Sequence, residues 1–192
     1  MRRLFVRLRL CLLLLPAWSV WAQERAINKE VLVPAPLAAV WQSWTTKAGI
    51  EAFFAPEAEI DARVDGAFHI HMDPLGAPGT KGADTMRYLA LQPMKMLSFD
   101  WNAPPHLAEV RQQRTFVVVR LFDVDGKSTR VTLHHTGWGD GGEWDKTFTY
   151  FDKAWGAVLG NLKKRYETGP MDWAPWMEAL KKMHAAQPAP AK

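Results

Sequence analysis

One segment, Thr129–Pro170, constrains the fold more than any other. It reads as a strand, a glycine-rich turn and a long amphipathic helix closed by Gly169-Pro170. In the helix, Trp144, Phe148, Phe151, Trp155, Val158, Leu159, Leu162 and Tyr166 recur at three- and four-residue spacing, so they share one face. Much of that face is aromatic. A stripe this bulky needs a broad, curved apolar surface to lie on. The segments before it supply one, because they alternate as short strands joined by turn residues.

The pattern upstream predicts a strand over Ala26–Val33, ended by Pro34 and Pro36. Helices follow over Leu37–Thr45 and Lys47–Phe54. Strands are expected at Glu57–Val64 and Ala67–Met72, joined by a hairpin turn at Asp65-Gly66. Asp73–Asp84 reads as a loop by composition. Two more strands, Thr85–Leu91 and Met96–Trp101, meet around Gln92-Pro93. Asn102–Gln112, with Pro104-Pro105, reads as another loop. Arg114–Phe122 and Ser128–Thr136 complete the strands through Asp125-Gly126. Hairpin-connected strands with helices grouped apart indicate an α+β domain. No strand leads through a glycine-rich loop into a helix in the order of a nucleotide or phosphate site.

The two ends read differently from the body. Arg2, Arg3, Arg7 and Arg9 precede the apolar run Leu10–Leu15, and Val20 and Ala22 give a small-x-small pattern, so residues 1–22 are expected to be a cleaved signal peptide. The run is shorter than the ~20 residues a membrane span needs, and Cys11 sits too early to be a lipid-bearing cysteine. Cleavage would make the protein periplasmic or secreted, with no stable membrane span. It would also remove four arginines, leaving twenty basic against twenty acidic residues. The basic balance thus belongs to the leader, which argues against a nucleic-acid partner. The single cysteine, Cys11, leaves as well, so packing must stabilise the 170-residue remainder. That length suits one domain, 23–170, followed by a short helix within 171–186 and a proline-alanine tail, 187–192, expected to be disordered.

Four segments together span nearly all of this domain: Val33–Pro56 (VPAPLAAVWQSWTTKAGIEAFFAP), Val64–Met72 (VDGAFHIHM), Leu91–Trp101 (LQPMKMLSFDW) and Thr129–Glu167. In this order they resemble the START-like, or SRPBCC, superfamily. The nearest branch is that of bacterial relatives of the activator of heat-shock-protein ATPase. The resemblance implies a helix-grip fold: a seven-stranded antiparallel sheet wrapped around the C-terminal helix, with a cavity between them. It further implies a small hydrophobic molecule or lipid as ligand, with no cofactor. A cyclase- or hydratase-like enzyme using the same cavity is the alternative. A protein-interaction domain is the third reading.

Alternation along the strands places the candidate site. On Thr129–Gly137, Val131, Leu133 and His135 share one face, and Arg130, Thr132 and His134 the other. The apolar face turns to the helix, bringing His135 to the cavity. His135 there is either a hydrogen-bonded histidine at the sheet margin or an acid–base group. Leu97, Phe99 and Trp101 point inward on their strand, with Trp101 at the mouth; Asp100 points outward toward a basic neighbour. Phe68 and Ile70 face the core, and His69 and His71 face solvent with no third metal ligand at an obvious spacing, so no metal site is expected. The turn Gly137–Trp144 carries Asp140 and Glu143, acids near a helix start that are catalytic candidates beside His135. The expected ligand-lining set is therefore Phe68, Ile70, Phe99, Trp101, Leu133, His135, Trp138, Trp144, Phe148, Phe151 and Trp155. Beyond Pro170, Asp172 can cap a helix whose face holds Trp173, Trp176, Met177, Leu180 and Met183. That face packs on the domain, or on a protein partner through Trp173, Trp176 and Leu180.

Overall fold

The computed structural model describes residues 24–186, so the expected leader and the tail at 187–192 lie outside the described residues. The chain runs β1 (Ile27–Val33), α1 (Leu37–Thr45), α2 (Lys47–Glu51), β2 (Glu57–Ile60), β3 (Phe68–His71), β4 (Gly82–Ala83), β5 (Tyr88–Gln92), β6 (Met96–Trp101), α3 (Ala108–Arg111), β7 (Thr115–Asp123), β8 (Thr129–Thr136), α4 (Gly142–Thr168) and α5 (Ala174–Ala186). Prolines 34 and 36 end β1, and α1 starts at the next residue. The Thr46 hydroxyl accepts from Gly49 N at 3.0 Å, capping α2. Glycines with φ of 73° and 101°, Gly141 and Gly169, bound α4.

The expectation of a single seven-stranded sheet needs correction. The strands form a five-stranded antiparallel sheet, β1-β8-β7-β6-β5, and a three-stranded one, β2-β3-β4. One bridge, Ala67↔Arg87, links them. The break has two local causes. A register shift between Tyr88 and Ala90 disturbs β5 at the seam. The β2–β3 connection is also longer than a two-residue hairpin: Asp61 N bonds Ala67 O, Gly66 N bonds Arg63 O, and Asp65 takes φ +61°. A Cβ on Gly66 would overlap the Asp61 carbonyl, so this turn needs glycine there. The two loops predicted by composition each hold a short element, β4 and α3, and α2 stops at Glu51, not Phe54.

The main sheet curves over α4. Alternate residues of β7 (Val117, Val119, Leu121) and β8 (Val131, Leu133, His135) are buried against it, while Phe116 and Phe122 stay exposed. From α4, Phe151, Trp155, Leu159 and Leu162 enter the same core. Aromatic rings then fill the centre: Phe68 lies 4.2 Å from Phe99, and Trp101 5.3 Å from Trp155, between ring centroids. Each fully buried ring contributes roughly 1.5–3 kcal/mol relative to exposure. Polar contacts fix α4 near its C-terminal end and along its length. The Tyr166 hydroxyl donates to Ala39 O at 2.8 Å, and Lys29 pairs with Asp152 at 2.8 Å. After Gly169 the chain turns back. Met171 N donates to Ala52 O and Trp173 Nε1 to Glu51 O, which seats α5 across the open side of the domain. Among the described residues, no helix is long and apolar enough to cross a membrane.

Candidate functional site

A cavity of about 810 Å³ opens between the small sheet, α4 and α5. Phe54, Ile70 and Trp101 form its floor. Along one wall, α4 contributes Phe151, Ala154, Trp155 and Val158, and Trp176, Leu180 and Met183 of α5 form the roof. The rim is the 73–83 loop on one side and Asn102–His106 on the other. Asp73, Lys81, His106 and His184 give this rim its polar character. The volume falls in the range of pockets that bury small organic ligands.

One buried charged group holds the rim in shape. The Arg111 guanidinium, at the end of α3, donates to Gly79 O (2.6 Å), Gly82 O (2.7 Å) and Ala103 O, so it ties both rim loops together. Burial pushes its pKa down, and nearby Asp84 partly offsets that. Glu143, in the first turn of α4, accepts from the backbone N–H groups of Glu109 (2.8 Å) and Val110 (3.2 Å), where α3 begins. Trp144 packs beside it on Ala103, Leu107 and Val110. These contacts brace the start of α3 and commit one Glu143 oxygen, Oε2, to structural hydrogen bonds. Asp140 is exposed on the glycine-rich turn.

His135 is wholly buried, and its hydrogen bonds define its state. Trp155 Nε1, which can only donate, lies 2.8 Å from His135 Nδ1. That nitrogen must therefore be the acceptor, and Nε2 carries the proton. Nε2 in turn donates to Thr115 Oγ1 at 2.7 Å, and the Thr115 hydroxyl donates to Trp101 O at 3.3 Å. Every donor in the chain is used in one direction. Burial, with a smaller push from His134, lowers the His135 pKa to about 3. The ring is thus a neutral strut between β8, β7 and α4 that offers neither a free lone pair nor a free proton to a substrate.

The residues expected at the ligand separate into three groups. Ile70, Trp101, Phe151 and Trp155 line the cavity. Phe68, Phe99 and Leu133 are fully packed core behind its floor. His135, Trp138 and Phe148 form an aromatic cluster at the first turns of α4, beside the cavity residues Phe151 and Trp155, with the Trp138 ring 4.2 Å from His135 and 5.2 Å from Phe148; Trp144 flanks it across the α3 loop. Outside the site, Asp100 accepts from Arg87 N at 2.6 Å and pairs with Arg114 at 3.3 Å. His69 and His71 meet carboxylates directly across the β2–β3 ladder, Glu59 at 3.1 Å and Glu57 at 2.8 Å. Among the described residues, no group of three or more His, Cys, Asp or Glu is arranged to hold a metal ion. Trp173 and Trp176 donate to domain carbonyls and Leu180 is buried, so these three side chains are engaged by the domain itself.

Sequence reasoning passed over the 73–83 loop and Arg111, and gave α5 no part in the site. The loop is glycine- and proline-rich, and nothing in its composition shows that it closes over a helix. For α5 a signal existed: Trp176, Leu180 and Met183 repeat at four- and three-residue spacing.

An α+β domain with an antiparallel sheet closed on a long C-terminal helix, holding an apolar cavity beside that helix, has the architecture of helix-grip, START-like proteins. The family profile described as activator of Hsp90 ATPase homolog 1-like protein matches residues 34–167, and the chain belongs to that family. A search of curated proteins finds no match. Among solved structures, protein MLL2253 from Mesorhizobium loti aligns with a TM-score of 0.62 at 19% identity, covering 77% of this chain and 100% of that one. The Aha1 dimer from Colwellia psychrerythraea aligns with a TM-score of 0.58 at 18% identity, covering 76% and 98%. CalU16 from Micromonospora echinospora aligns with a TM-score of 0.56 at 21% identity, covering 83% of each chain. At these identities the likeness shows the fold.

Proposed function

We propose that the protein binds one small, largely apolar molecule in the cavity between the small sheet, α4 and α5, and that it does so outside the cytoplasm. The observation that carries the reading is the cavity itself. About 810 Å³ lies beside a core whose other aromatic rings pack closely, and tryptophan, phenylalanine and aliphatic side chains wall it. Burying apolar surface there would contribute about 25 cal/mol per Å². The polar rim at Asp73, Lys81 and His184 suits a ligand with one polar end left near solvent. A binding role is favoured over catalysis because two of the three acid–base candidates, His135 and Glu143, are committed to structural hydrogen bonds. Export follows from the arginine–leucine order of residues 1–22.

The test is native mass spectrometry of the protein purified from its own cell envelope, followed by solvent extraction. The reading expects a reproducible small molecule bound one to one. A protein recovered empty, or with only a stable protein partner, would count against it.

A further inference from the structure

The helix α5 stands apart from the rest of the domain. It lies beyond the residues that match the family, 34–167, and follows a left-handed glycine, Gly169. Its two ends are held differently. The entering end is fixed to the end of α2 by Met171 N on Ala52 O (2.9 Å) and Trp173 Nε1 on Glu51 O (2.6 Å). Farther along, two polar contacts fasten it to one rim of the cavity: Trp176 Nε1 donates to Met72 O at 2.7 Å, and His184 Nε2 meets Asp73 Oδ2 at 2.7 Å.

Between these fastenings its apolar face spans empty space. Leu180 is 5% exposed, but Trp176 and Met183 remain 46% and 48% exposed although both border the cavity. A helix of 13 residues has little stability alone. Here Leu180 is the one buried residue of the helix, far less apolar burial than normally secures an amphipathic helix. The rim contacts contribute little by themselves, because water replaces them readily when they part.

We propose that α5 is a hinged lid on this cavity, turning at its anchored start about Trp173-Ala174, and that the bound apolar molecule completes its docking by filling the space beneath Trp176, Leu180 and Met183. This rests on the binding reading above. It adds that the ligand and the helix stabilise one another, so ligand release requires the two rim fastenings to open.

Hydrogen exchange on the full exported chain, with and without the neutral apolar fluorophore N-phenyl-1-naphthylamine, tests the idea. Without the probe, amides of α5 should exchange at least about tenfold faster than those of α4 near Trp155; with it they should slow by about tenfold or more while α4 changes little. A double variant, Trp176→Phe with His184→Ala, keeps an aromatic ring over the cavity but removes both fastenings. It should release the probe about tenfold faster with association no slower. If the probe binds while α5 protection and the release rate stay unchanged, the lid is refuted and the binding reading stands. If the probe does not bind the wild-type protein, the binding reading fails and the lid falls with it.

Discussion

His135 should make the stability of this fold depend on pH in a way that a single substitution removes. In the folded chain the ring is neutral, with its pKa pushed down to about 3 by burial. In the unfolded chain it returns to the ordinary histidine value, near 6.5. Below that value the unfolded state takes up a proton that the folded state refuses. The stability contributed by His135 is thus fully present above about pH 6.5 and is lost progressively as pH falls toward 3. Each unit in that window is worth about 1.4 kcal/mol, so lowering the pH from 7 to 5 should remove about 2 kcal/mol through this residue alone. The carboxylates held below their usual range, Glu57 and Asp125 among them, titrate lower and change little over those two units. A His135→Gln variant should be less stable at pH 7, because it disturbs the Trp155–His135–Thr115 chain. Its stability should fall by about 2 kcal/mol less than wild type between pH 7 and pH 5. Urea unfolding at pH 7, 6 and 5, followed by tryptophan fluorescence, measures both curves. Parallel curves would show that His135 is not held neutral inside the folded chain, and the strut assignment would fail.

Trp155 bridges the core and the cavity wall, so Trp155→Ala should cost about 3–5 kcal/mol in urea unfolding, and an undiminished midpoint would contradict its placement. Arg111→Met removes the guanidinium that joins Gly79, Gly82 and Ala103 and should lower stability by about 2–3 kcal/mol while weakening binding of N-phenyl-1-naphthylamine. Glu143→Ala should cost only about 1 kcal/mol, the scale of a lost helix cap, and leave probe affinity unchanged. N-terminal sequencing of envelope protein should begin at Gln23, and a membrane-bound chain retaining Arg2 would refute export.

The fold was legible where periodicity runs long enough to outvote local accidents. The aromatic stripe of α4 and the alternation on β6, β7 and β8 placed Phe99, Leu133, Trp155 and Leu162 in the core, and their burial follows that pattern. Sheet partition was not legible, because it depends on a bulge near Tyr88 and on the longer Asp61–Ala67 turn, neither of which has a distinct sequence mark. The cavity was legible only in part. Inward-facing apolar residues look alike whether they fill space or border it, so Phe68 and Ile70 read identically although one is packed core and the other lines the cavity. Its roof and rim come from α5 and the 73–83 loop, distant in sequence and brought together by hydrogen bonds such as Trp176 to Met72 O. Arg111 is the sharpest example. An arginine in a polar loop reads as a solvated charge until the carbonyls it gathers are seen.

The central claim is that the space beside Trp155 accepts an apolar molecule, and calorimetric titration with N-phenyl-1-naphthylamine at several temperatures tests it most directly. Ala154 faces the cavity from α4, so Ala154→Trp should fill the site from within. The account predicts saturable one-to-one binding by the wild type with a negative heat-capacity change, the mark of apolar burial. It predicts loss of that binding in Ala154→Trp with a melting temperature close to that of the wild type. Absence of saturable binding, or equal binding by a folded Ala154→Trp protein, would contradict it.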